Sequence, residues 1–156
     1  MIDELYSARI LKLAANLPYS GRLAAPEGTG ERIAKLCGSK AVVDVTLDDA
    51  DLVATFAQDV KACALGQAAA GLMGESVVGA SAKEIETARD AMTAMLKAGG
   101  EGPTGRFEGL RALKQVADYP ARHASTIVAI EATLDAVRQA MARKTPDTRT
   151  SLAGAA

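Results

Sequence analysis

Apolar and polar positions repeat along the chain with two periods. Ile2, Leu5, Tyr6, Ile10, Leu13 and Leu17 recur at helical spacing. That spacing predicts an amphipathic helix over about the first 16 residues, ended near Asn16 and Pro18. Tyr19-Ser20-Gly21 through Gly28-Thr29-Gly30 is rich in turn formers and reads as loop. Between residues 40 and 60 the period falls to two. Val43, Val45 and Leu47 alternate with Val42, Asp44, Thr46 and Asp48, and Asp49-Ala50-Asp51 can turn the chain into Leu52-Val53-Ala54-Thr55-Phe56. Two strands in a hairpin follow, with Ile33 to Leu36 as a third strand.

From Cys63 the period is helical again. Ala64 to Met73 reads as a short helix of small residues closed by Gly74. Ser81-Ala82-Lys83-Glu84 is a capping box, in which the Ser and Glu side chains each satisfy a free backbone N–H. It opens a helix with Ile85, Ala88, Met92, Met95 and Leu96 inward, stopped by Gly99-Gly100. Residues 98 to 106 read as a flexible connector, and Phe107, Leu110, Leu113 and Ala117 as a further short helix. Pro120 can begin the last helix, since a first turn needs no proline N–H. There Ile127, Ile130, Leu134, Val137 and Met141 alternate three- and four-residue steps. The fold class is therefore α+β: a small three-stranded antiparallel sheet covered by a layer of helices, which is enough for independent stability. One domain is expected over residues 1–143, followed by a tail over 144–156 that lacks core residues and should be disordered.

Composition narrows the function classes. The apolar share of 49% and charged share of 24% exclude a chain disordered over most of its length. Aromatics are only 3%, so the core must be built from Ala, Leu, Val, Ile and Met. A net charge of −1 argues against a nucleic-acid partner, because phosphate neutralisation needs a positive excess. The acidic start and the lack of any long apolar run argue against a secretion signal and a membrane span. The cytosol is the expected compartment, so Cys37 and Cys63 read first as thiols or ligands and second as a disulfide.

Candidate chemistry rests on Cys37, Cys63 and the one histidine, His123. Their separations of 26 and 60 positions fit no compact zinc signature. Buried cysteine as a small hydrophobe, and histidine as a hydrogen-bonded residue, are the structural alternatives. Position favours chemistry. Cys37 lies between the expected first strand and the hairpin, Cys63 where a helix begins, and His123 in the first turns of the last helix. Helix starts present free N–H groups that favour thiolate or bound sulfide. Met73, Met92, Met95 and Met141 read as core filler, and Asp48, Asp49, Asp51 and Asp59 as surface.

At these residues the chain resembles the U-type iron–sulfur cluster scaffold family, which includes IscU, SufU and the amino-terminal domain of NifU. Leu5-Tyr6-Ser7-Ala8-Arg9-Ile10-Leu11 with Pro18 and Gly21 is similar to the family's first helix and its exit. Cys37-Gly38 is similar to the start of its Cys-Gly-Asp motif, and Cys63-Ala64 with Gln67 to Met73 to its second cysteine and helix. Tyr119-Pro120-Ala121-Arg122-His123-Ala124 is similar to the segment carrying its third cysteine. Residues 98 to 118 resemble the insertion of the SufU branch. Two positions depart: the family's Asp is Ser39 and its third Cys is Ala124.

The resemblance implies a SufE/NifU-like fold and a scaffold or carrier rather than an enzyme. Iron, a labile iron–sulfur cluster or zinc would be held by Cys37, Cys63 and His123. A cysteine desulfurase and cluster-acceptor proteins would be the partners, and the chain would be a monomer or homodimer. Two alternatives remain: a zinc-assisted sulfur-transfer protein that accepts persulfide, and a metal-free paralogue that binds partners only.

Overall fold

The computed structural model of the chain describes residues 6–144. Residues 1–5, over which the first helix is expected to start, and the expected tail beyond Lys144 lie outside that range. Helix α1 (Ala8–Ala15) begins where Ser7 Oγ accepts the Ile10 N–H at 3.3 Å. It ends at Asn16, whose backbone and side-chain N–H groups both return to the Lys12 carbonyl. Strands β1 (Gly28–Ala34), β2 (Ser39–Leu47) and β3 (Val53–Lys61) form one antiparallel sheet in the order β1-β2-β3.

The register explains the two faces. Ala41, Val43, Val45 and Leu47 of β2 are buried together with Phe56, Gln58 and Val60 of β3. The opposite face carries Thr29, Asp44 and Ala57 in one row, Glu31, Val42 and Asp59 in the next, and Ile33, Lys40 and Lys61 in the last. Asp44 is polar in an apolar strand, yet its side chain is wholly buried. It accepts from Arg22 Nε at 2.6 Å, Thr29 Oγ1 at 2.6 Å and Leu23 N at 3.0 Å, which pins the incoming loop onto the sheet.

Helix α2 (Ala64–Ser76) follows β3, and α3 (Ala82–Ala98) follows the expected capping box, with both of its hydrogen bonds present. Gly99 ends α3 at φ 72°, a left-handed cap. A 3₁₀ segment (Gly105–Asp118), broken at Phe107, buries Phe107, Leu110, Leu113 and Val116. A single 3₁₀ turn (Pro120–Arg122) then leads into α4 (His123–Lys144), which packs on β1 and β2. Met73, Met92 and Met95 are fully buried and Met141 packs against the core. Among the described residues no helix is long and apolar enough to cross a membrane.

Three expectations are corrected here. Gly28-Thr29-Gly30 is strand, not loop. A Cβ at Gly28 or Gly30 would collide with the α4 backbone, so the glycines mark a close approach rather than a turn. The first strand accordingly ends at Ala34, and residues 35–38 form a turn in which the Gly38 N–H, at φ 73°, donates to the Ala34 carbonyl. Gly74 does not close α2. It sits inside the helix, where a Cβ would lie 2.9 Å from Gln58 Nε2 and 3.1 Å from Pro18 Cγ.

Candidate functional site

The sheet register brings the two thiols to one end of the fold. Ala34 pairs with Ser39 and Lys40 with Lys61, so the 35–38 turn and the exit of β3 share that end. Cys37 is exposed in the turn, and its Sγ donates to Ser39 Oγ at 3.0 Å. Cys63 is the residue before α2 and is half-buried. Its Sγ lies 3.5 Å from Ser125 Oγ, which itself donates to the Arg122 carbonyl at 3.0 Å.

Helix α4 starts at the same end. Ala136 lies over Gly28 and Ala132 over Gly30, so its earlier residues run toward the Ala34 end of β1. Arg32 Nε, 2.6 Å from Asp135, fixes that alignment. The Arg122 guanidinium carbon sits 5.9 Å over the Tyr6 ring and ties the turn before α4 to the segment just before α1.

Burial pushes the Cys63 thiol up, but the Ser125 hydroxyl, the Gly66 and Leu65 backbone N–H groups and the charge of Arg122 outweigh it. The thiol is held below its ordinary value. At Asp44, likewise, burial works against ionisation. Arg22, Thr29 and the Leu23 N–H overcome it and hold the carboxyl below the usual carboxylate range.

His123 is buried, and its Nε2 faces the Val116 carbonyl at 3.0 Å and the Ala117 carbonyl at 3.2 Å. A ring nitrogen between two acceptors must carry the proton, which leaves Nδ1 as the nitrogen with a lone pair. A metal-binding histidine is commonly oriented this way, with its other ring N–H on a carbonyl. Ser39 is buried beside Cys37, and Ala124 is exposed next to His123.

The structure thus pairs each thiol with a serine: Cys37 with Ser39 and Cys63 with Ser125. It does not assemble Cys37, Cys63 and His123 into a preformed centre. Among the described residues no three His, Cys, Asp or Glu side chains are placed to hold one ion. Ser125 and Arg122 were not legible as site residues. The only signal was their place, Arg122 two residues before Ala124 and Ser125 one after it, around the start of α4.

This arrangement defines a small α+β domain whose one end carries two thiols at strand-to-element junctions. The chain is similar to the amino-terminal part of a nitrogen-fixing NifU-like protein from Brucella abortus. The two are 45% identical over 90% of this chain and 96% of that one, with a TM-score of 0.86. The chain belongs to the NifU-like amino-terminal family, the U-type family that its residues resemble. The fold is shared with a proposed iron–sulfur cluster assembly scaffold protein of the SUF system from Fervidobacterium islandicum (19% identity, 85% and 96% covered, TM-score 0.77). It is also shared with a hypothetical protein of known structure (22% identity, 86% and 97% covered, TM-score 0.73). No family model and no curated protein matches the chain.

Proposed function

We propose that the chain is an iron–sulfur cluster assembly protein of the carrier type, with no catalytic turnover of its own. Its cargo is an iron ion or a labile iron–sulfur cluster, taken by Cys37, Cys63 and the Nδ1 of His123. The observation that carries the reading is the placement of both thiols and the start of α4 at one end of a NifU-like fold. Kinship with the Brucella NifU-like protein, and a fold shared with the Fervidobacterium scaffold protein for iron–sulfur cluster assembly, support it.

The donor set fits transient rather than permanent binding. A two-iron cluster wants four protein ligands, usually thiolates, and a closed zinc site also wants four. This chain brings three, and the neutral Ser39 hydroxyl is a weak donor. Cys37 sits exposed in a turn around Gly38, at the same end of the sheet as Cys63, where cargo can enter and leave. A cysteine desulfurase as sulfur source and an acceptor protein as destination are the partners this role requires. The setting would be the cytoplasm, where thiols stay reduced, and the chain would act there as a monomer or homodimer.

One observation favours a second reading. Cys63, held below its ordinary thiol value, suits sulfur transfer with zinc in place of iron. Its thiolate would attack the outer sulfur of a desulfurase persulfide, forming a Cys63 persulfide and releasing the desulfurase thiolate. The test is anaerobic reconstitution with ferrous iron, cysteine and a cysteine desulfurase, followed by absorption. A visible charge-transfer band lost in Cys37→Ser and Cys63→Ser supports cluster carriage. Persulfide on Cys63 in colourless, zinc-loaded protein selects the second reading. Neither signal leaves the metal-free, partner-binding alternative.

A further inference from the structure

The last row of the face that carries Asp44, next to Cys37 and beyond the loop that covers Asp44, reads across all three strands as Ile33, Lys40 and Lys61. Lys40 and Lys61 stand directly opposite each other. Like charges at such a cross-strand position destabilise a sheet, so this pair is not there for folding. Lys40 has a partial partner in Glu31 at 3.4 Å. Glu31 and Asp59, the acids of the next row in, both also feel Arg22, which lies over that part of the face. Lys61, and Lys35 in the turn that carries Cys37, have no ion pair or side-chain hydrogen bond among the described residues, and both are exposed.

The same rim is apolar where it should be wet. Leu36 at 88% and Ile33 at 54% are the two most exposed large apolar side chains among the described residues. Leu36 adjoins Cys37 in the turn, and Ile33 flanks Lys40. Exposed leucine and isoleucine gain nothing from a nucleic acid backbone or a small anion, whereas they gain from burial in a protein interface. Unpaired lysines around them favour a partner whose rim is acidic.

We infer that the Ile33–Lys40–Lys61 row, with Leu36 and Lys35, is a docking surface for a partner protein that presents carboxylates around an apolar contact. Docking there lays the partner against the turn that carries Cys37. The inference goes beyond the cargo reading and does not depend on it.

The test uses the full chain and a 12-residue peptide of alternating Glu and Leu as probe, followed by amide chemical shifts. The expected result is saturable binding with shifts centred on Ile33, Leu36, Lys40 and Lys61, weakened at least fivefold in high salt. Lys61→Glu should weaken binding at least tenfold while leaving Tm unchanged or higher, since it turns a repulsive pair into an attractive one. Leu36→Ser should weaken binding threefold or more without changing its salt dependence. Binding unaffected by Lys61→Glu overturns the inference. So does equal affinity of the same residues for a 12-mer oligothymidylate or inorganic polyphosphate. Self-association of the chain that Lys61→Glu abolishes also overturns it, because the occupant is then a second copy. The Cys37→Ser/Cys63→Ser variant should bind the peptide as wild type does. Cargo loading without peptide binding therefore refutes this surface alone, and peptide binding without cargo refutes the function alone.

Discussion

Gly30→Ala should be one of the most damaging single-methyl additions available in this fold. The new Cβ would lie 2.8 Å from the Ala136 nitrogen and closer still to the Ala132 carbonyl oxygen, where ordinary contact begins at 3.4 Å. Against Ala136 alone the shortfall is about 0.6 Å, on the steep wall of the contact potential. Both obstacles are helix backbone, so no side chain can rotate away and α4 itself must shift. Overpacking of this kind costs about 1–3 kcal/mol, and an immovable neighbour points to the upper end. Alanine recovers only about 0.4–1 kcal/mol through the unfolded chain, which leaves a net loss of about 2–2.6 kcal/mol. For a chain of this length that is a fall in Tm of about 5–10 °C by calorimetry. Gly99→Ala is the control: it meets nothing within 4 Å and pays only for its φ of 72°, about 1–2 kcal/mol. Because α4 starts at the thiol end, Gly30→Ala should also shift the amide resonances of residues 122–126. A Tm within 2 °C of wild type, with those resonances unmoved, would refute the clamped-helix account of the site.

Three further outcomes follow from the same structure. Asp44 has its carboxyl held below the usual range in the folded protein, so it contributes stability above its unfolded value of about 3.9, lost as pH falls through the folded value. Asp44→Asn should cost about 2–3 kcal/mol at neutral pH, discounted because Arg22 is half exposed, and should flatten the acid limb of a Tm-against-pH curve. Ser125→Ala removes a hydrogen bond that lowers the Cys63 thiol, so alkylation rates in a Cys37→Ser background should turn up at a higher pH than in the same background with Ser125 intact. Ala124→Cys places a thiol at an exposed position beside His123, and iron and sulfide retained after gel filtration should rise severalfold over wild type.

Much of the architecture was legible because local and tertiary preferences agree. The Ser81–Glu84 capping box, the Val43/Val45/Leu47 alternation and the Gly99 stop each act through hydrogen bonds or burial within a few residues. The start of β1 was hidden because Gly28 and Gly30 answer to a helix more than a hundred positions away, and small residues chosen for close approach look like turn formers. Gly74 misled for the same reason, through Gln58 and Pro18. At the site, Cys37, Cys63 and His123 were findable as rare chemistry-bearing residues at element junctions. Their local partners were not, since Ser39 and Ser125 act only through geometry that the fold creates. The commitment of His123 Nε2 to the Val116 and Ala117 carbonyls was equally invisible, because it depends on how the 3₁₀ segment meets α4.

The most direct test of the central claim is the iron and acid-labile sulfide content of protein purified without air, measured for wild type and Cys63→Ala. The account predicts iron with sulfide in wild type, falling sharply in the variant. Wild-type protein that holds neither iron nor sulfide, under conditions that load a three-cysteine family member, would contradict it.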